Sequence, residues 1–357
     1  MLTYYLNNLI KGENIMFNET FEVVSLGEII CRLSPSDRNE RLSRCDEFKR
    51  QIGGAELNVV TALSNVGLRT GMITKIPDND LGVYVKNSLR SYGVSDDLLI
   101  YDHSDDARLA IYYSEAGAYP RKPSVVYDRK NSSFCNLKLE DIDSDMFNAS
   151  KVFHTTGITL ALGEQIRKNT IEIIKRFSQA GIKISFDVNF RANLWDETLA
   201  RETITEILPY VDIFFCSEET ANKTFKKTGP IEEILREFSR DFNIPIVCST
   251  KRTVHSPKLH SFTSFVYDAN TDTVYTEEPY NNIDVIDRIG SGDAYIAGVL
   301  YGLISNNYDC FKALQYGNAF SVLKNTIPGD TLCSSLAEIN SIIATHNGTG
   351  STSEINR

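Results

Sequence analysis

Asp287-Arg288-Ile289-Gly290-Ser291-Gly292-Asp293 runs directly into the apolar stretch AYIAGVLYGLI, residues 294–304. Two glycines flanking a serine let the backbone turn tightly and approach a ligand closely. The apolar stretch behind them predicts a long buried helix whose first turn carries Asp293. A helix N-terminus offers free N–H groups and a field that favours an anion, and phosphate suits it well. The stretch is neither a GxxxxGK(S/T) loop nor a GxGxxG fingerprint, so neither of those nucleotide sites is supported. On the residues alone two readings of Asp293 stand: a helix cap, or a carboxylate aimed at whatever the glycine turn binds.

Working upstream, strand-like and helix-like segments alternate. FEVVSLGEIICRLSP (21–35) predicts a strand, a glycine break and a second strand. Gly53-Gly54 then opens the helical AELNVVTALSNVG. KVFHTTG, KISFDVN, VDIFFCS and PIVCST each read as a strand, most of them followed by a helical stretch. This predicts an α/β fold with a mostly parallel sheet covered by helices on both faces. Ligands in such folds bind outside the carboxyl ends of the strands, where His154, Asp187, Ser217 and Thr250 are expected. His154 reads either as a site-lining residue or as a hydrogen-bonded histidine at the core's edge. RLAIYYSEAG and KPSVVYDRK, within 107–130, break the rhythm and predict a small antiparallel excursion. Downstream, TSFVYDAN and DTVYTEE predict short strands, and helices are expected around Phe311 to Lys324 and Ser334 to Ile343.

With 357 residues the chain has room for one large core or two modest ones. Apolar residues make up 42% and charged residues 24%, which fits a globular protein rather than a disordered one. A net charge of -10 argues against nucleic acid and anionic lipid as partners, though not against a local cluster of arginines that binds a small anion. Seven scattered cysteines without a CxxC pair predict a reducing, cytoplasmic setting. The five histidines have no zinc spacing. No apolar run reaches the length of a membrane span, and the first twenty residues lack the pattern of a secretory signal, with Met16 a second candidate start.

The glycine turn resembles the second signature of the ribokinase, or PfkB, family of carbohydrate kinases, which usually runs Asp-Thr-x-Gly-Ala-Gly-Asp. Arg288 here stands for the usual Thr and Ser291 for the usual Ala. The resemblance implies that Asp293 is the catalytic base and that the backbone of Gly290, Ser291 and Gly292 forms an anion hole for the transferring phosphoryl group. A carboxylate that takes the proton of a sugar hydroxyl as the O–P bond forms is what such chemistry needs. Gly53-Gly54-Ala55-Glu56-Leu57-Asn58 is similar to the family's first signature, and Asn58 carries both donor and acceptor groups for a polyhydroxy substrate. The resemblance spans about Phe21 to Ile343. It implies a ribokinase-like kinase domain over 21–345, which leaves 1–20 as an N-terminal extension, while the polar, Gly/Ser-rich composition of 346–357 predicts a mobile tail. A small β lid is expected over about 33–53 and 106–130, through which many relatives pair as dimers.

ATP and Mg2+ follow as expected cofactors. Ser217-Glu218-Glu219-Thr220 occupies the place of the family's Asn-x-x-Glu, leaving metal assistance to Glu218 or Glu219, or making it indirect. Ser217 serves equally well as a plain helix cap. Thr250 and Arg252 lie where relatives carry a nucleotide-contacting loop, and Asn189 is placed with them. Asn318, Ser321 and Lys324 fall near the expected adenine pocket, with a solvated helix face as the alternative.

The sugar is narrowed by arginines. Arg108, Arg129 and Arg191, with Tyr113 and Tyr127, suit a substrate that carries a carboxylate, because guanidinium binds carboxylate through two parallel hydrogen bonds. Surface ion pairs are the ordinary alternative for each. Tyr127-x-Arg129 and Asp187-Val188-Asn189-Phe190-Arg191, ending in Leu194-Trp195, resemble the 2-keto-3-deoxygluconate kinase branch. That branch implies ATP-dependent phosphorylation of the sugar acid at its 6-hydroxyl. Fructokinase or another ketose kinase is the alternative within the family, and a non-catalytic sugar-binding regulator the remote one.

Overall fold

The structure, a computed structural model, describes residues 20–38 and 40–350. In chain order its strands are β1 (Phe21–Leu26), β2 (Ile30–Pro35), β3 (Phe48–Gly53), β4 (Thr70–Pro77), β5 (Leu99–Asp102), β6 (Ala110–Glu115), β7 (Ser124–Asp128), β8 (Ser150–Thr156), β9 (Lys183–Asp187), β10 (Ile213–Phe215), β11 (Ile246–Ser256), β12 (Leu259–Asp268), β13 (Thr273–Tyr275) and β14 (Tyr280–Asp284). Its helices are α1 (Ala55–Asn65), α2 (Asp80–Ser91), α3 (Gly157–Ala161), α4 (Glu164–Gln179), α5 (Glu197–Ile207), α6 (Glu218–Lys223), α7 (Ile231–Phe242), α8 (Ser291–Ser305), α9 (Cys310–Asn325) and α10 (Leu336–His346).

The short strand Ile213-Phe214-Phe215 shows how the layers arise. Successive side chains leave a strand on opposite faces. Ile213 and Phe215 enter the core under α1, α8 and α9, while Phe214 enters the core under α4, α5 and α7. Both faces are therefore dry, as a parallel sheet requires. Burying each such side chain contributes about 1.5–3 kcal/mol. The main sheet has the order β13-β12-β11-β10-β9-β8-β1-β4-β5, with β14 also on β12. From β11 to β5 every pairing is parallel, and the pairings of β12 are antiparallel. A second sheet, β3-β2-β6-β7, stands apart from it. The α/β layering and the small extra sheet are thus as expected from the sequence.

Several details differ from the sequence expectation. The small sheet takes in β2 from Ile30, three residues before the expected lid boundary. PIVCST does not end at Thr250: β11 continues to Ser256 because its second half pairs with β12 along the antiparallel edge. β14 was not foreseen, since YNNID mixes polar and apolar residues at a sheet edge. His154 lies inside β8, fully buried, with Nδ1 2.9 Å from the hydroxyl of Ser185. Burial pulls its pKa down to about 3, so it is a neutral core residue rather than a site-lining one. The C-terminal helix reaches His346, the first residue of the expected tail, and 351–357 lie outside the described residues. The expected extension over 1–20 lies almost wholly outside them as well.

Helix α8 is buried along its length, from Ala294 to Leu303. It can lie this close to α9 because Gly298 and Gly302 face it: a Cβ on Gly298 would stand 2.4 Å from the carbonyl oxygen of Tyr316. That close packing fixes where the N-terminus of α8 points. It opens on the same cleft as Asp187 at the end of β9, Phe215 at the end of β10 and Thr250 in the middle of β11.

Candidate active site

The glycine turn and the strand ends enclose a cleft of about 870 Å³, roofed on one side by the small sheet. Gly290 is the N-cap of α8 in the left-handed conformation, φ +82, with no side-chain cap. A Cβ there would also sit 1.8 Å from the carbonyl oxygen of Asp330. Glycine is therefore required twice over at this position. Gly292 differs: a Cβ would meet nothing within 4 Å. Its smallness leaves open space on the cleft side of the turn, and no protein contact demands it.

Asp293, in the first turn of α8, does not cap the helix. Its Oδ2 accepts a 2.6 Å hydrogen bond from Nδ2 of Asn58 on α1. Burial pushes the pKa of Asp293 up to about 7, with the like charges of Asp187 and Glu56 adding and Asn58 and Arg191 opposing. Burial does the same to Asp187 at the end of β9, also to about 7. A carboxyl poised near neutrality beside a helix N-terminus can accept a proton while the N–H groups receive an anion. The Oδ1 of Asn58 is buried without a partner among the described residues, which leaves an acceptor for a hydroxyl donor.

The residues singled out from the sequence divide into two groups. Gly290, Ser291, Gly292, Asp293, Gly54, Asn58, Tyr127, Arg129 and Arg191 line the cleft. So do Asn189, Ser217, Glu219, Thr250 and Arg252. Ser217 is also the N-cap of α6, accepting from the N–H of Thr220 at 3.2 Å. Glu219 faces the cleft and binds Lys223 at 2.6 Å, whereas Glu218 does not line it. Arg252 and Arg288 both face the cleft, and among the described residues neither forms an ion pair. Burial, and then the charge of Arg288, hold Arg252 below its ordinary pKa.

The remaining residues lie elsewhere. Tyr113 points to the outer face of the small sheet, edge-on to Phe48 at 5.8 Å. The register pairs Tyr127 with Tyr112, so Tyr112 is the tyrosine that faces the cleft, and the phase of the strand was misjudged by one residue. Arg108 is bound to Asp128 at 2.7 Å, which makes it a brace for the end of β7. Gly53 is packed against the Asp330 carboxylate behind the cleft wall. Asn318, Ser321 and Lys324 are fully buried on α9, neither in the cleft nor on a solvated face. Asn318 bridges Ser264 and Glu277, each at 2.6 Å.

Three acids and a tyrosine were missed. Glu28 is buried and accepts from Arg129 at 2.9 Å through Nε and 2.5 Å through Nη2, with the hydroxyl of Ser132 on its other oxygen. Glu56 is buried under the cleft floor, accepting from Thr156 at 2.7 Å and Thr159 at 2.8 Å. Asp330 and Tyr112 are bonded to each other at 2.6 Å. A carboxylate inside an apolar run, as in SLGEII and GGAEL, was the available signal, because such a charge must find partners.

Comparison with known proteins places the chain in a family. The family model "pfkB family carbohydrate kinase" matches residues 20–244 and 262–336. A 2-dehydro-3-deoxygalactonokinase of Haloferax volcanii is 33% identical over 311 residues, 87% of this chain and 93% of that protein. A 2-dehydro-3-deoxygluconokinase of Bacillus subtilis is 27% identical, covering 81% and 85%. The crystal structure of the 2-dehydro-3-deoxygluconokinase of Thermotoga maritima superposes with a TM-score of 0.86 at 32% identity, over 91% of this chain and 99% of that one. With the aspartate at the head of α8 and the family model along most of its length, the chain is a member of the pfkB family of carbohydrate kinases.

Proposed function

We propose that the protein transfers the γ-phosphoryl group of ATP to the terminal 6-hydroxyl of 2-keto-3-deoxygluconate or its C4 epimer, 2-keto-3-deoxygalactonate. The observation that carries this reading is that Arg129 and Arg191 face the same cleft as Asp293. Among the described residues Arg191 donates only to the carbonyl of its neighbour Phe190, at 3.2 Å, so its guanidinium is available to an anion. Glu28 fixes Arg129 through Nε and Nη2 and leaves Nη1 for the substrate carboxylate. Relatives acting on both epimers support the sugar-acid class, and the galactonate reading rests on the 33% identical relative.

In this reading the sugar hydroxyl gives its proton to Asp293 as its oxygen bonds to the γ-phosphorus. The bond from phosphorus to the β–γ bridging oxygen breaks, and ADP leaves with that oxygen. The N–H groups at the head of α8 receive the charge on the transferring group. Arg252 and Arg288, which form no ion pair among the described residues, take the polyphosphate. Among the described residues no cluster of three or more acids, histidines or cysteines forms a protein metal site. Magnesium therefore fits as an ion carried by the nucleotide, neutralising phosphate charge, with Glu219 the cleft-facing acid nearest that role.

Seven unpaired cysteines support a reducing, cytoplasmic setting. Among the described residues no helix is long and apolar enough to cross a membrane. A homodimer through the small sheet is supported by its outer face, where Phe48 and Val126 are 40% and 54% exposed on either side of Tyr113. The proposed activity is tested by ADP release over a panel of sugar acids and neutral ketoses. Preference for fructose over both acids would replace it with fructokinase.

A further inference from the structure

Arg32 on β2 lies outside the cleft lining, yet it joins the small sheet to the glycine turn. Its Nη1 donates to Oδ1 of Asp330 at 2.7 Å and its Nη2 to Oδ2 of Asp287 at 2.8 Å. Nε donates to the hydroxyl of Ser34 at 2.9 Å, which holds the guanidinium plane. The other oxygen of Asp330 accepts from the Tyr112 hydroxyl on β6 at 2.6 Å. The side chains of Arg32, Asp287 and Asp330 are only 10%, 10% and 4% exposed.

Both acids are tied to the turn. Asp287 is its first residue, and its Oδ1 accepts from the N–H of Ile289 at 3.2 Å. Its carbonyl accepts from the buried ammonium of Lys324 at 3.2 Å, which also donates to the carbonyl of Ile327 at 3.0 Å. Asp330 is wedged between the two glycine turns. Its carbonyl oxygen fills the place a Cβ on Gly290 would take, and its carboxylate fills that of Gly53. A shift of Asp330 therefore moves Gly290, the residue that aims the head of α8.

A buried ion network of this kind is a poor source of stability, since apolar residues of similar volume do as well. It is a good source of position, because a forked guanidinium holds two carboxylates in one geometry. We propose that Arg32, Tyr112 and Asp330 are positioning residues that lock the small sheet to the glycine turn, so that a sugar seated against the sheet finds the anion hole already aligned. The proposal rests on the kinase reading for its effect on turnover, but not for its effect on the turn itself.

R32K keeps the charge and loses the fork. Amide hydrogen exchange of the ligand-free protein and steady-state kinetics of the same variant separate the two claims. Exchange over residues 287–294 should rise at least about tenfold, the scale of one lost hydrogen bond to a charged group, while β8 and β9 stay protected as in the wild type. Turnover should fall by a similar factor, with the Michaelis constant for the sugar acid and the dissociation constant for ATP within about twofold of wild type. Exchange at the turn unchanged, or raised evenly through the protein, overturns the proposal, as does a stable variant with normal turnover. Should R32K fail to fold, Y112F, which removes only the hydroxyl on Asp330, is read by the same exchange and turnover criteria. If the wild type phosphorylates no sugar, the kinase reading fails, and the exchange result still decides whether the network sets the turn.

Discussion

Asn58 and Asp293 stand 235 residues apart in the chain and 2.6 Å apart in the cleft. Each opens a helix behind a glycine turn, α1 behind Gly53-Gly54 and α8 behind Gly290-Ser291-Gly292. The contact brings both turns to one proton acceptor and leaves the second oxygen of Asn58 for a substrate hydroxyl.

Asp293→Asn should lose turnover by at least about a hundredfold, the lower end for a general base, while the fold and ATP binding persist. Circular dichroism and ATP titration check the second half of that statement. Near-normal turnover in the folded variant would remove Asp293 as the base.

The pH profile follows from the raised pKa of about 7. A base must be ionised to work, so kcat/KM should fall as pH drops through neutrality and Asp293 takes up its proton. Asp187→Asn removes a neighbouring like charge that raises this pKa, so the acid limb should move to lower pH. Asn58→Ala removes the hydrogen bond that favours the carboxylate, so the limb should move up. The limb's midpoint is the readout, whatever the height of the plateau.

The two glycines of the turn should behave differently. Gly290→Ala forces a left-handed alanine, about 1–2 kcal/mol, and adds a clash with the Asp330 carbonyl, so thermal stability should fall. Gly292→Ala meets no protein atom and should fold normally. A turnover loss in Gly292→Ala at unchanged stability would locate the transferring phosphoryl group on that side of the turn, and unchanged turnover would place it elsewhere.

Arg288→Thr should weaken ATP and ADP binding at least about tenfold while leaving adenosine unaffected, because a charge-assisted contact to phosphate contributes about 1.5–3 kcal/mol. Calorimetry with the three ligands separates phosphate from base. Equal weakening of all three would mean that Arg288 shapes the cleft instead of binding phosphate.

The layering was legible because strand–helix alternation and glycine turns are local signals. Asp293, Asn58, Arg129 and Arg191 were legible because each sits beside such a turn or strand end. Tyr113 was misplaced because one residue of phase flips a strand's face, and only the pairing of Tyr112 with Tyr127 fixes it. Asn318 and Lys324 were misplaced because polar residues on a helix give no sign that α9 is buried on nearly every side. The partners of Arg32 and Arg129 were invisible because they lie 298 and 101 residues away.

The sugar-acid claim is tested most directly by the ratio of kcat/KM for 2-keto-3-deoxygluconate to that for fructose, in the wild type and in Arg191→Ala. A charge-assisted hydrogen bond from a guanidinium to a carboxylate contributes about 1.5–3 kcal/mol. The acid should lose that much and the neutral ketose far less, so the ratio should collapse by at least about tenfold. A ratio that stays at the wild-type value would show that Arg191 does not hold the substrate carboxylate, and fructokinase would become the better reading.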